Sequence, residues 1–147
     1  MRKRFDLKRF KTAQAESYDR ALAEIRNGWK ESCWMWYIFP QLRFERCSQI
    51  SAYYAISGIA EAKAYLADPL LRERLLTICE ALLALDTNDA EEVMGFPDDK
   101  KLQSSMTLFE AAGSPKYKVF EKVLDKYFNG KRDQRTLDIL KSKDSWR

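Results

Sequence analysis

Histidine is absent from this chain of 147 residues. Without an imidazole, the chain alone cannot form a Ser-His-Asp triad or a Cys-His pair, and it cannot bind a metal through histidine. Cys33, Cys47 and Cys79 are odd in number and include no C-x-x-C spacing, so neither a disulfide framework nor a structural zinc site is indicated. We therefore expect reduced thiols, no metal and no cofactor.

Glycine and proline are also scarce, with five and four residues respectively. That is too few for a sandwich or barrel that turns every ten residues or so. No run of apolar residues is long enough to cross a membrane, and the first residues are charged rather than an apolar signal core. With 46% hydrophobic and 33% charged residues, the composition is that of a globular protein, and we expect a cytoplasmic protein without membrane contact.

The apolar residues that are present recur at spacings of three and four, which is typical of helices. The predicted helices run from Leu7 to Asn27-Gly28, from Ser48 towards Ile56, over Ala60–Leu66, from Asp68-Pro69 to Leu85, from Asn88 to Met94, from Pro97 to Gly113, over Val119–Phe128, and onward from Asp133. Residues 33–40 fit a short helix or an extended connector equally well. We predict an all-α fold over residues 1–147: a single-domain multihelical bundle of about six to eight helices without a substantial β-sheet.

An aromatic run within residues 33–41 is the first candidate for a binding site. Trp34, Trp36 and Tyr37 could offer stacking faces to a base, or they could simply be core aromatics. Gln14 lies within an apolar helical stripe, so its amide should be buried and must find hydrogen-bond partners.

The second candidate is the helix of residues 97–109. Ser104 and Ser105 are indifferent helix formers placed beside its apolar edge, and the hydroxyl of Ser105 either faces a site or bonds back to its own helix. Asp98 and Asp99 could act on a substrate or hold a metal, but carboxylates also stabilise a helix start. Neighbouring helical side chains point about 100° apart, which makes them poor joint ligands.

These segments suggest a pocket for a small molecule, such as a nucleotide or nucleoside derivative, because such sites combine aromatic walls with a few polar groups. The candidate ligand-binding residues are Gln14, Trp34, Trp36, Tyr37, Gln41, Tyr54, Asp98, Asp99, Lys101, Ser104 and Ser105. No catalytic constellation is recognisable. An enzyme would have to use Asp98, Asp99 or Lys101 as acid, base or electrostatic clamp.

Charge distribution supports a different hypothesis, a nucleic-acid or protein-binding adaptor. Residues 1–11 carry a net charge of +5, residues 114–147 also +5, and the residues between them −6. If the two basic ends meet, they form a patch that attracts polyanions; solvated helix faces are the simpler interpretation. The basic residues concerned are Arg2, Lys3, Arg4, Lys8, Arg9, Lys11, Lys116, Lys118 and Lys122.

Several motifs resemble those of a bacterial family catalogued as domain of unknown function 1810. The motifs are Phe5-Asp6-Leu7 with Arg9-Phe10 and Ala13-Gln14, the run from Trp34 to Leu42, Tyr54-Ala55-Ile56, Glu61-Ala62 with Ala64-Tyr65-Leu66, Pro97-Asp98-Asp99 with Lys101-Leu102, Ser104 to Phe109, and Asp133, Thr136, Leu137 and Leu140. The resemblance implies an all-helical single domain and no agreed biochemical activity.

Three positions depart from the pattern of that family. Cys33 stands where a histidine precedes the tryptophan, Asp68 where a histidine precedes the proline, and Phe44-Glu45-Arg46 where a Gly-x-Gly loop follows Pro-Gln-Leu. An activity of relatives that needed that histidine or those glycines would be altered here. A site built on Gln14, Trp36, Gln41 and the helix of Ser104 and Ser105 would survive.

Overall fold

The computed structural model describes residues 5–44 and 47–144, with the side chains of residues 143 and 144 left aside. Within these ranges the chain forms nine helices. They are α1 (Lys8–Arg26), α2 (Met35–Ile38), α3 (Gln49–Tyr54), α4 (Ile59–Ala67), α5 (Pro69–Ala84), α6 (Ala90–Met94), α7 (Asp98–Gly113), α8 (Val119–Phe128) and α9 (Gln134–Asp144). The all-α fold predicted from spacing is confirmed, with short helices such as α2 making the number slightly larger than expected.

Local capping chemistry explains where several helices begin. The Asp68 carboxylate accepts hydrogen bonds from the backbone N–H groups of Leu70 and Leu71, at 3.0 and 3.1 Å, and Pro69 is the first residue of α5. The Ser48 hydroxyl accepts from the N–H of Ser51 in the same way. These side chains satisfy donors that the first helical turn leaves unpaired.

Four helices form the centre of the fold, since α4 and α8 each pack against both α5 and α7. Around these four helices, α1 packs on α5 and contacts α2, and α6 and α9 pack on α7. The buried apolar residues form one cluster that includes Phe10, Tyr65, Phe109 and Phe120. Their rings lie 5.2 to 5.8 Å apart along the series, within the usual range for aromatic pairs.

The helix predicted to run towards Ile56 stops earlier, because Ile56 is paired with an extended segment instead. Its N–H donates to the carbonyl of Gln41 at 2.8 Å, and its own carbonyl accepts from the N–H of Arg43 at 2.8 Å. This isolated parallel bridge joins Leu42 to Ile56, and both side chains are buried. The bridge holds the segment after α2 against the end of α3, and it is too small to count as a sheet.

Across the described ranges, none of the helices combines the length and the apolar character that crossing a bilayer demands.

Candidate functional site

A cavity of about 420 Å³ opens beside the first turns of α7. Its walls come from α2, from the segment that leads into α3, from the end of α3, and from the first turns of α7 and α9. The bridge between Leu42 and Ile56 therefore positions one wall, and the packing of α9 on α7 positions another.

Aromatic rings from three separate segments line this cavity: Trp36, Phe44 and Tyr54. Tyr54 is held from behind by Phe10 and Tyr37, with ring centroids 6.2 and 5.2 Å away. Burial raises the pKa of the Tyr54 phenol, and the neighbouring Tyr53 and Tyr37 reinforce this, while Arg9 lowers the pKa. Tyr54 therefore remains a neutral hydroxyl that can donate or accept a hydrogen bond.

Three cationic side chains share the cavity with these rings: Lys100, Lys101 and Arg135. The ammonium of Lys101 lies 5.3 Å from the centre of the Trp36 ring, and the guanidinium of Arg135 lies 4.0 Å from that of Phe44. Both are cation–π distances. Trp36 and Phe44 therefore each have a cationic group over the ring, whereas Tyr54 has none among the described residues.

Two uncharged polar side chains in the cavity lack hydrogen-bond partners among the described residues. Ser104 is only 6% exposed, yet its hydroxyl makes no such bond, and the amide of Gln41 makes none either. By contrast, the carboxylate of Asp133 is engaged as the cap of α9, accepting from the N–H and the hydroxyl of Thr136 at 3.0 and 2.6 Å. Ser104 and Gln41 are therefore the polar groups most available to a bound molecule.

Of the residues predicted from the sequence, the cavity brings together Trp36, Gln41, Tyr54, Lys101 and Ser104. That these residues bind a ligand stays a prediction.

Gln14, Trp34 and Tyr37 do not line the cavity, and each is bonded to another part of the protein. Gln14 is buried, as predicted, and its amide nitrogen donates to the Tyr37 carbonyl at 2.7 Å and the Tyr65 hydroxyl at 3.0 Å. The indole N–H of Trp34 donates to Glu24 at 2.8 Å. The Tyr37 hydroxyl donates to Ser17 on α1 at 3.0 Å.

The two adjacent aspartates have separate positions, as expected for neighbouring helical residues. Asp98 pairs with Lys30 at 2.8 Å and with Lys101 at 3.2 Å, so it supports the cavity from outside. Asp99 is buried and faces a shallow hollow beside α6 and Tyr127, and one of its carboxylate oxygens has no partner among the described residues. The two carboxylates therefore do not form a joint site.

Ser105 is fully buried, and its hydroxyl neither reaches the cavity nor bonds back to its own helix. The back-bonding considered for Ser105 is made by Thr107 instead, whose hydroxyl donates to the Gln103 carbonyl at 2.8 Å. Thr107 also accepts from the N–H of Asp133 at 2.9 Å, which fixes the start of α9 beside α7.

Sequence reasoning missed Phe44 and Arg135 as cavity residues, together with Ser48 and Ser51. Among the three departures from the family pattern, Phe44 alone lines the cavity; Asp68 caps α5, and Cys33 is exposed away from it. The phenylalanine at position 44, where the family pattern has a glycine, was the signal that could have pointed to this part of the cavity. Glu45 and Arg46 lie outside the described residues.

The basic N-terminal segment is partly committed to the fold. Arg9 pairs with Glu61 at 3.0 Å, and Lys11 pairs with Asp68 at 2.6 Å. Arg2, Lys3 and Arg4 lie outside the described residues. In the part of the chain that is described, no three Cys, Asp or Glu side chains cluster as a metal site would require.

Together these features define an all-helical protein with an aromatic, positively charged cavity. The chain belongs to the family described as Protein of unknown function (DUF1810), whose model matches residues 4–140. It is similar to a solved structure, the conserved hypothetical protein Rv1873 from Mycobacterium tuberculosis, with 43% identity and a TM-score of 0.89 over 92% of this chain and 96% of that one. A comparison with curated proteins gives no significant match.

Proposed function

We propose that the protein binds a small molecule with a planar ring in the cavity, and that a nucleotide or nucleoside derivative is the class that fits best. The main support is the convergence of aromatic rings with two unpartnered polar side chains, Ser104 and Gln41, in one hollow. Its volume of about 420 Å³ falls within the ~300–1,000 Å³ typical of small-molecule sites.

Each part of the cavity would meet a different part of such a ligand. Trp36 and Tyr54 offer ring faces, and stacking a base on an aromatic side chain contributes about 1–3 kcal/mol. Gln41 and Ser104 can both donate and accept hydrogen bonds, which suits the edge of a base or a sugar hydroxyl. Lys101 is the only one of the three groups considered for acid–base chemistry that lines the cavity, so binding has better support than catalysis.

The adaptor hypothesis has less support, because Arg9 and Lys11 are held in ion pairs with Glu61 and Asp68. Paired cations release fewer counterions when a polyanion binds.

Thermal-shift and calorimetric titrations with nucleosides and nucleotides test the proposal. We expect a member of this panel to raise the melting temperature, and we expect Trp36→Ala to weaken its binding about tenfold or more, as loss of one stacking face would do. Trp29→Ala is the matched control, because Trp29 is 69% exposed and does not line the cavity. No response to any nucleoside or nucleotide at millimolar concentration would contradict the proposal.

A further inference from the structure

The charges around the cavity are unbalanced. Lys100, Lys101 and Arg135 line it, against the single carboxylate of Asp133 among the described residues. That carboxylate already accepts two hydrogen bonds from Thr136 as the cap of α9. The cavity therefore has an excess of positive charge facing its interior.

The nearest outside carboxylate does not remove this excess. The Asp98 carboxylate pairs with both Lys30 and Lys101. One negative charge faces two positive charges, so the three side chains together have a net charge of +1. Lys100 and Arg135 form no ion pair with any described residue. The Arg135 guanidinium lies over the Phe44 ring at 4.0 Å, which leaves its N–H edge available, as in many phosphate sites.

Ser104 gives an independent indication. The residue is only 6% exposed and lines the cavity, and its hydroxyl has no hydrogen-bond partner in the described chain. Among the described residues, the fully buried side-chain atoms without a partner belong to Asp99 and Ser105, so the Ser104 hydroxyl is accessible from the cavity and can bond to a group bound there. The charged side chains that share the cavity with Ser104 are mainly hydrogen-bond donors. A ligand group that bonds to all of them must therefore be a hydrogen-bond acceptor.

The first turns of α7 and α9 also border the cavity, and they add the partial positive charge of two helix N-termini. The α7 donors are already used, since the N–H groups of Lys100 and Lys101 both bond to the Pro97 carbonyl. At the α7 end of the cavity, the side chains rather than these backbone groups must then supply the hydrogen bonds.

From this arrangement we infer that the ligand is anionic, and that a phosphate group attached to the planar ring is bound by Arg135, Lys100 and Lys101 with the hydroxyl of Ser104. This inference rests on the proposed function and narrows it from nucleosides in general to phosphorylated ones. The modest cavity volume favours a mononucleotide over a dinucleotide.

Calorimetry with AMP, adenosine and inorganic pyrophosphate separates the inference from the proposed function. We expect AMP to bind at least about tenfold more tightly than adenosine, since one charge-assisted hydrogen bond contributes that much. The AMP affinity should also fall with ionic strength. Equal affinity for adenosine and AMP would overturn the phosphate site and leave the planar-ring function standing.

Charge-neutralising variants give the second arm of the test. Arg135→Gln combined with Lys100→Gln should weaken AMP binding about a hundredfold and adenosine binding hardly at all. Neither residue forms an ion pair within the described chain, so the fold should tolerate both changes. Arg20→Gln combined with Lys63→Gln is the matched control, because both residues are exposed, lie outside the cavity, and change the net charge equally.

Two further outcomes are decisive. Pyrophosphate binding that the Arg135 and Lys100 variant abolishes, without binding of adenosine or AMP, would support the anion site and contradict the planar-ring function. AMP affinity that is the same in this variant as in the control would overturn the anion site.

Discussion

Two regions of this molecule, α1 and the cavity, differ in how their polar side chains are bonded. On α1, Arg9, Gln14 and Glu24 are each bonded to other parts of the chain: Arg9 to Glu61, Gln14 to Tyr65, and Glu24 to Trp34. In the cavity, the side chains of Ser104 and Gln41 have no hydrogen-bond partner among the described residues. The α1 residues are bonded within the chain and so maintain the fold, whereas the cavity side chains are the groups to which the proposed ligand would bond.

The largest effect on stability should come from Glu24→Ala. Glu24 is 7% exposed and accepts hydrogen bonds from the N–H groups of Glu31 and Ser32, the Ser32 hydroxyl and the Trp34 indole, at 2.6 to 3.0 Å. Its removal would leave the buried Trp34 indole and three part-buried donors unpaired, so we expect a loss of about 3 kcal/mol or more in denaturant unfolding. Glu31→Ala is the control, because the exposed carboxylate of Glu31 makes none of these bonds. An equal loss of unfolding free energy in the two variants would contradict the role of Glu24 in maintaining the fold.

The stability that the Glu24 carboxylate contributes should depend on pH in the acid range. Burial acts to raise the pKa of Glu24, but the hydrogen bonds from Ser32, Glu31 and Trp34 outweigh it and lower the pKa from 4.5 to about 2. A pKa lowered in the folded state adds stability above the unfolded pKa and loses it as pH falls towards the folded one, here between about pH 5 and pH 2. The difference in unfolding free energy between wild type and Glu24→Gln should shrink over this window, and a constant difference would show that the carboxylate is not specially stabilised.

A smaller loss is expected for Gln14→Leu. This change leaves the Tyr37 carbonyl, the Tyr65 hydroxyl and one N–H of Arg74 without their partner, and we expect about 2 kcal/mol of destabilisation in denaturant unfolding. Gln49→Leu, at an exposed position, should change stability by less than about 0.5 kcal/mol. A ligand affinity that fell with Gln14→Leu, in variant protein that is still folded, would place Gln14 with the binding residues instead.

The smallest effects on stability are expected for Ser104→Ala and Ser105→Ala, and these two variants should differ in ligand binding. Ser105→Ala removes a buried hydroxyl that has no partner, so it should leave stability unchanged or raise it by about 1 kcal/mol without affecting ligand binding. Ser104→Ala should change stability little and weaken AMP binding about tenfold. Unfolding curves and calorimetry on both variants check this, and an equal loss of affinity in the two would contradict the assignment.

Helix boundaries could be predicted because their causes are local. Asp68-Pro69 starts α5 and Asn27-Gly28 follows the end of α1 through capping and turn preferences that a few neighbouring residues decide. The pairing of polar side chains could not be predicted in this way. The apolar stripe around Gln14 predicted that its amide is buried, but not that it bonds to Tyr65, which is 51 residues away, nor that the side chain of Gln41 has no partner among the described residues.

The sequence also could not show which of two neighbouring residues on α7 faces the cavity. Ser104 and Ser105 both follow the apolar edge of α7, yet a rotation of about 100° between successive residues places Ser104 at the cavity and Ser105 in the core. Arg135 and Phe44 meet only because α9 folds back beside α7. No spacing within either segment indicates that contact.

Nuclear magnetic resonance of the tryptophan indole N–H signals during a titration with AMP tests the central claim most directly. Trp36 lines the cavity, Trp34 is bonded to Glu24, and Trp29 is exposed elsewhere. If the cavity is the binding site, the Trp36 signal should shift in a saturable way while those of Trp34 and Trp29 stay in place. A saturable shift at Trp34 or Trp29 with none at Trp36 would contradict the account.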